Sequence, residues 1–140
     1  DALGCSFELR SVTLTGEGIR VLVEVVNLDK DPRKVAFYDD RFGNWPKSRL
    51  YDESGKYYYT THAYVWQGSE KKLMIDIDRR GRGIELQPQT SSTMELIFKH
   101  IPENVRKIKI VLHPFIYYST GSRETWQEFD LNYPEMPIRR

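Results

Sequence analysis

Apolar and polar residues alternate most regularly over residues 19–27 (IRVLVEVVN). Ile19, Val21, Val23 and Val25 fall on one face there, and Leu22 and Val26 make the other face partly apolar. A strand with apolar residues on both faces belongs inside a sheet and not at its edge. Upstream, SFELRSVTL (6–14) keeps the two-residue rhythm at Phe7 and Leu9, slips, and resumes at Val12 and Leu14. That slip predicts a β-bulge. The GEG at 16–18 between the two runs predicts a hairpin turn.

The same rhythm recurs along the chain. NLDKDPRK (27–34) reads as a polar loop, VAFYDD (35–40) as a short strand and RFGNWPKS (41–48) as a turn-rich loop. RLYDESGKYYYT (49–60) reads as strand, turn, strand. In KKLMIDID (71–78), Leu73, Ile75 and Ile77 alternate with Met74, Asp76 and Asp78, which predicts a strand. RRGRG (79–83) and QPQTSS (87–92) bracket another short strand. TMELIFKH (93–100), RKIKIVLHPF (106–115) and RETWQEFDL (123–131) read as strands, with STGS (119–122) as a turn. Helical periodicity is absent over any longer window, and IPENVRK (101–107) offers one turn at most. Short strands punctuated by turns predict an all-β fold, an antiparallel β-sandwich of about 8–10 short strands. A chain of 140 residues suits one domain over 1–140, with a core across about 6–131 and a tail at 132–140.

Composition narrows the function classes. The chain is 39% hydrophobic and 29% charged, a globular balance. Its net charge is +1, from 21 basic and 20 acidic residues. That balance argues against nucleic-acid binding, which draws on a basic excess. RRGR (79–82) has no aromatic residue interleaved and reads as a solvated turn. No apolar run approaches the ~18 residues of a membrane span. The single cysteine, Cys5, excludes an internal disulfide and a cysteine metal cluster. ALGC (2–5) loosely matches a lipoprotein processing site, but no apolar segment precedes it, and a buried strand cysteine is the preferred reading.

Three segments carry a family resemblance: SFELRSVTLTGEGIRVLVEVVNLDKD, SRLYDESGKYYY and IELQPQTSSTMELIFKHIPENVRKIKIVL. Their order of strands and turns over roughly residues 6–131 resembles the immunoglobulin-like β-sandwich domain of secreted and cell-envelope bacterial proteins, typified by DUF4352 and related uncharacterised families. The resemblance implies a non-catalytic extracytoplasmic module (secreted, periplasmic or cell-surface) and supplies no catalytic residue. The aromatic-rich stretch 57–78 departs from the simplest form and suggests an elaborated hairpin.

No residues assemble into a catalytic signature. His62, His100 and His113 stand outside any Ser/His/Asp or Cys/His pattern, and no Gly-x-Ser-x-Gly elbow exists. The acidic residues of DESG (52–55), Asp39-Asp40 and the Asp76/Asp78 pair lack EF-hand spacing. Asp76 and Asp78 are expected on one solvated strand face beside Arg79, Arg80 and Arg82. A glycosidase carboxylate pair cannot be assigned. The expectation is therefore no enzyme, no cofactor and no metal. Aromatic residues offer the main binding candidates. Exposed rings give flat, rigid contact area for a protein or a polysaccharide. Trp66, Tyr58, Tyr64 and Trp126 are the candidate patch, with core packing and cross-strand pairing as the competing use of the same rings. Tyr58 must point opposite to Tyr57 and Tyr59. The expected role is a non-enzymatic interaction or structural module of an exported bacterial protein. A carbohydrate-binding module is the alternative, and an edge strand is available for self-association.

Overall fold

The computed structural model describes residues 4–78 and 80–139. Ala2 and Leu3 of ALGC, Arg79 of RRGR, and residues 1 and 140 lie outside the described residues. In chain order the strands begin with β1 (Cys5–Thr15), β2 (Gly18–Asn27), β3 (Arg33–Ala36), β4 (Arg49–Tyr51) and β5 (Tyr57–Tyr59). They continue with β6 (His62–Gln67), β7 (Glu70–Leu73), β8 (Ile84–Leu86), β9 (Ser91–Phe98) and β10 (Lys107–Leu112). β11 (Phe115–Thr120), β12 (Arg123–Glu128), β13 (Leu131–Asn132) and β14 (Met136–Pro137) complete the set. A helical turn, α1 (Met74–Ile77), follows β7, and a 3-10 turn spans Asp40–Phe42.

The strands form an antiparallel sandwich. The first layer has the order β1-β2-β9-β6-β7. β2 is central, as its two apolar faces require, and the register with β1 shifts between Leu9 and Ser11, where the bulge was expected. The second layer is organised along residues 107–120. β10 and β11 are separated only by His113 and Pro114, so one stretch of chain runs through two sheets. β4 and β3 pair along one flank of that stretch, and β13 and β12 along the other. β5 extends the sheet beyond β4, and β8 beyond β3.

The core lies between the layers. Val21, Val23 and Val25 of β2 and Met94, Leu96 and Phe98 of β9 meet Phe37, Leu50, Ile108, Ile110 and Ile116 from the second layer. Each such side chain contributes about 1.5–3 kcal/mol on burial. Cys5 is fully buried in this cluster, opposite Asn27 in the register, in agreement with the strand-cysteine reading.

Several local expectations need correction. The strand expected over 71–78 stops at Leu73. The chain then coils into α1, which buries Met74 completely and packs Ile77 on the core. A helical turn places positions three apart on one side, which satisfies Met74 and Ile77 better than alternation. Asp76 and Asp78 consequently do not share a strand face. IPENVRK holds one turn, closed by Val105 N donating to Pro102 O (3.1 Å), within the one turn expected. HAYVWQ is strand β6, with Ala63 and Val65 pointing inward, and it forms a hairpin with β7. The strand expected over 106–115 breaks at His113-Pro114, and β11 follows as a separate strand. Residues 132–140, read as a tail, return to the sheets. Met136 and Pro137 pair with β10, Ile138 joins the core, and Arg139 bridges Thr13.

Candidate binding face

Alternation fixes what the second layer shows on its outer side. Leu50, Tyr58, Ile108 and Ile110 point inward, so Arg49, Tyr51, Tyr57, Tyr59, Lys109 and Val111 point outward. The register sets them in rows: Lys109–Tyr51–Tyr57, and Val111–Arg49–Tyr59 with Asn132 beyond Val111. Tyr57 and Tyr59 are 52% and 47% exposed, large values for aromatic residues within a strand. Farther along the same face, Phe115 and Tyr117 of β11 and Trp126 of β12 point outward, with Tyr117 directly opposite Trp126.

The loop 39–48 lies on this outer side and adds Phe42 and Trp45. Tyr38 packs against Phe42, Trp45 and Phe115 at ring-centre distances of 4.5, 4.9 and 4.7 Å. Trp45 and Trp126, both exposed, stand 6.4 Å apart with planes tilted by 41°. The loop is pinned by Asp39, a fully buried carboxylate. Asp39 accepts hydrogen bonds from Ala63 N of β6 (3.0 Å), Arg41 N (3.0 Å) and the Arg41 guanidinium. Beneath the aromatic layer the Tyr38 hydroxyl donates to Gly81 O (2.7 Å) and also meets the Tyr117 hydroxyl. Burial, reinforced by that contact, pushes the Tyr38 phenol above its ordinary pKa.

A polar network divides the face. His113 sits between Asp130 (Nδ1 to Oδ1, 2.7 Å) and Glu128 (Nε2 to Oε1, 3.1 Å). Asp130 also accepts from Arg49 Nη2 (2.8 Å), and Trp126 Nε1 donates to Glu128 Oε2 (3.1 Å). The hydrogen bond from Arg49, aided by His113, holds the Asp130 carboxyl below its ordinary pKa. A groove of about 570 Å3 runs beside Arg49 and Tyr51, lined also by Lys109, Val111, Asn132 and Tyr133. A smaller cleft of about 270 Å3 lies between Trp45, Lys47 and Tyr59, so the tryptophan and tyrosine parts of the face adjoin.

The four aromatic residues singled out from the sequence are not brought together. Trp126 belongs to the face just described. Tyr58 lies on the other side of β5, packs on the core, and donates its hydroxyl to Asp52 Oδ2 (3.2 Å). Tyr64 and Trp66 share the outer face of the first layer, where they cover the fully buried Glu95. Trp66 Nε1 donates to Glu95 Oε1 (3.1 Å), and Lys71 Nζ reaches Glu95 Oε2 (2.7 Å) while lying 4.5 Å over the Tyr64 ring. Trp45, Tyr51, Tyr57 and Tyr59 were outside the chosen four. The alternation of YYY already put Tyr57 and Tyr59 on one face, but only the register shows that Tyr51 and Arg49 join them.

The acidic residues of DESG are engaged in the fold. Asp52 Oδ1 accepts from Ser54 N (2.9 Å), Ser54 Oγ (2.7 Å) and Lys56 N (3.1 Å), closing the hairpin turn. Glu53 accepts from the backbone amides of Arg106 and Lys107 (2.9 and 3.2 Å). These bonds hold both carboxyls below their ordinary pKa values. Among the described residues no three His, Cys, Asp or Glu side chains converge as a metal site.

No family model matches the chain. No curated protein matches it either. Among solved structures it is similar to the periplasmic chaperone SfaE, at 12% sequence identity and a TM-score of 0.44. The match covers 97% of this chain and 56% of that one, so the chain spans little more than half the length of that structure.

Proposed function

We propose that this domain is a non-enzymatic interaction module of an exported bacterial protein, and that it docks a protein partner on the outer aromatic face of its second layer. The observation that carries the reading is the residue set left exposed there: Trp45, Tyr57, Tyr59 and Trp126. Tyrosine, tryptophan and arginine dominate the energetics of protein interfaces, because they bury much area for little lost conformational freedom. These rings are also held in place in advance, by Asp39 beneath the loop and by Glu128 on the Trp126 indole. Preorganisation lowers the cost of docking. Kinship with DUF4352-type domains and an extracytoplasmic location rest on the strand-and-turn pattern of the sequence. Fractionation of cells carrying the tagged precursor checks the location.

A carbohydrate-binding module is the second reading, favoured by the adjacent exposed indoles of Trp45 and Trp126. For self-association, the edge on offer is β12, which pairs only with β11 and is exposed along most of its length. The test is site-specific photo-crosslinking in the source cell, with the crosslinker at position 126 or 57 and a control at Leu14. A partner trapped from 126 and 57 but not from 14 is the expected result. Retention on neutral polysaccharide gels, abolished by Trp126→Ala without a change in melting, would establish the carbohydrate reading in its place.

A further inference from the structure

The chemistry of the partner can be read from which parts of the exposed rings are already in use. Tyr57 and Tyr59 contact edge to face, with centres 5.3 Å apart and planes at 70°. Tyr51 and Tyr57 are 5.9 Å apart at 55°. The Arg49 guanidinium carbon lies 5.9 Å over the Tyr51 ring, and its Nε donates to the Tyr51 hydroxyl (2.9 Å). The rings thus meet one another and a cation at steep angles, with edges taking part in the contacts. An aromatic edge carries the positive end of the ring quadrupole, so it attracts anionic oxygen.

The fixed charges agree. Lys47, Arg49 and Lys109 stand around these rings in the groove and the cleft. The nearest carboxylate, Asp130, is already bonded to Arg49 and His113. Lys109 is exposed, and its ammonium has no hydrogen bond or ion pair among the described residues. It is a spare donor, whereas Arg49 is bonded to Tyr51 and Asp130 and the Lys47 ammonium to the Gly43 and Trp45 carbonyls.

We propose that the face across β5, β4, β10 and β13 takes an acidic segment of a partner protein, with its carboxylates on Lys109 in the groove and Lys47 in the adjoining cleft and its backbone across Tyr51, Tyr57 and Tyr59. This rests on the reading of the face as a protein-docking surface and specifies its partner. The segment lies in extended form, because the groove is shallow and follows the strand rows. Specificity comes from the cations, which also speed encounter.

Fluorescence anisotropy on the intact domain tests this with four labelled probes. They are a twelve-residue peptide alternating Glu and Ala, its Gln/Ala counterpart, a dT15 oligonucleotide and polygalacturonate. The expected result is binding of the Glu/Ala peptide alone, weakening as salt rises. Lys109→Glu should weaken it about five- to tenfold, as expected for reversal of one interfacial charge, and Tyr57→Ala together with Tyr59→Ala should also weaken it. Both changes are at exposed positions, and unchanged melting temperatures confirm that the fold is intact. Equal binding of the Gln/Ala peptide, or no binding of the Glu/Ala peptide at millimolar concentration, overturns the acidic-segment inference. If crosslinking from position 57 still traps a protein, the docking reading survives that failure. Tighter binding of dT15 or polygalacturonate that depends on the same tyrosines overturns both.

Discussion

Replacing Asp39 by Ala should loosen the loop that carries Trp45. Asp39 is fully buried, and so is Ala63, whose amide donates to Asp39 Oδ2 at 3.0 Å. Removing the carboxylate strands that amide without water, at a cost of about 1–3 kcal/mol. The bonds from Arg41 add less, about 0–1 kcal/mol, because its side chain is partly exposed and can rehydrate. The sum is about 1–4 kcal/mol. For 140 residues, at about 3 °C per kcal/mol, the melting temperature falls by about 3–12 °C. Asn at this position should give a smaller loss. Ala63 N and Arg41 N bond to different carboxylate oxygens, and an amide has one carbonyl to offer. Calorimetry measures the shift. Fluorescence in a Trp66→Phe, Trp126→Phe background should show Trp45 emission moving to the red as its loop lifts. A melting change below about 2 °C with unmoved emission would refute the claim that Asp39 pins the face.

Three further outcomes are expected. Gly83→Ala should cost about 3 kcal/mol or more, read by urea denaturation, because at φ +81° the added Cβ would sit 1.9 Å from Val35 O. Gly121→Ala, at φ +62° in open space, should cost only about 1–2 kcal/mol. The Cys5 thiol, pushed by burial from 9.0 up to about 11, should resist iodoacetamide at pH 8 until denaturant is added. The stabilisation tied to that neutral thiol is complete below its unfolded pKa near 9 and is lost as pH rises toward 11, so Cys5→Ala should flatten the melting profile over that interval. Asp130 has a depressed pKa in the fold, so the stability it lends is present above its ordinary 3.8 and is lost as pH falls below it. Asp130→Asn should remove that acid-side decline, and an unchanged profile would mean that the Arg49 and His113 bonds contribute nothing in solution.

The strands of the first layer were legible because their side chains obey one rule. β2 buries every second residue, and β9 keeps the alternation for its inward Met94, Leu96 and Phe98, although Glu95 and Ile97 are buried on its other face. The bulge in β1 was legible for the same reason, as a slip in the count. Legibility failed where a side chain's burial overrode the rhythm. Met74 sits in the core because the chain coils after Leu73, although its neighbours alternate as a strand would. The site was legible only in part. Adjacent tyrosines in YYY fixed their mutual orientation, yet which rings gather on one surface depends on partners far away in the chain. Arg49 meets Val111 and Tyr59, and Tyr117 meets Trp126, through register that no local pattern encodes. Tyr64 and Trp66 looked available until Glu95, the one carboxylate among Met94, Leu96, Ile97 and Phe98, proved to take both Trp66 and Lys71 as donors.

The stretch 107–120 has a consequence for the order of folding. β3 and β4, near the start of the chain, have β10 and β11 as their main partners. During synthesis β3 emerges with Phe37 before either of its partners, and β4 has only the short β5 hairpin to pair with. More than fifty residues must follow before that partner stretch appears. Closing such long loops is slow, and the half-made chain exposes apolar strand edges meanwhile. β1 and β2 can form their hairpin at once, whereas the aromatic face comes into being only with the last third of the chain. Translation speed and holding chaperones should therefore affect the yield of this domain more than its final stability does.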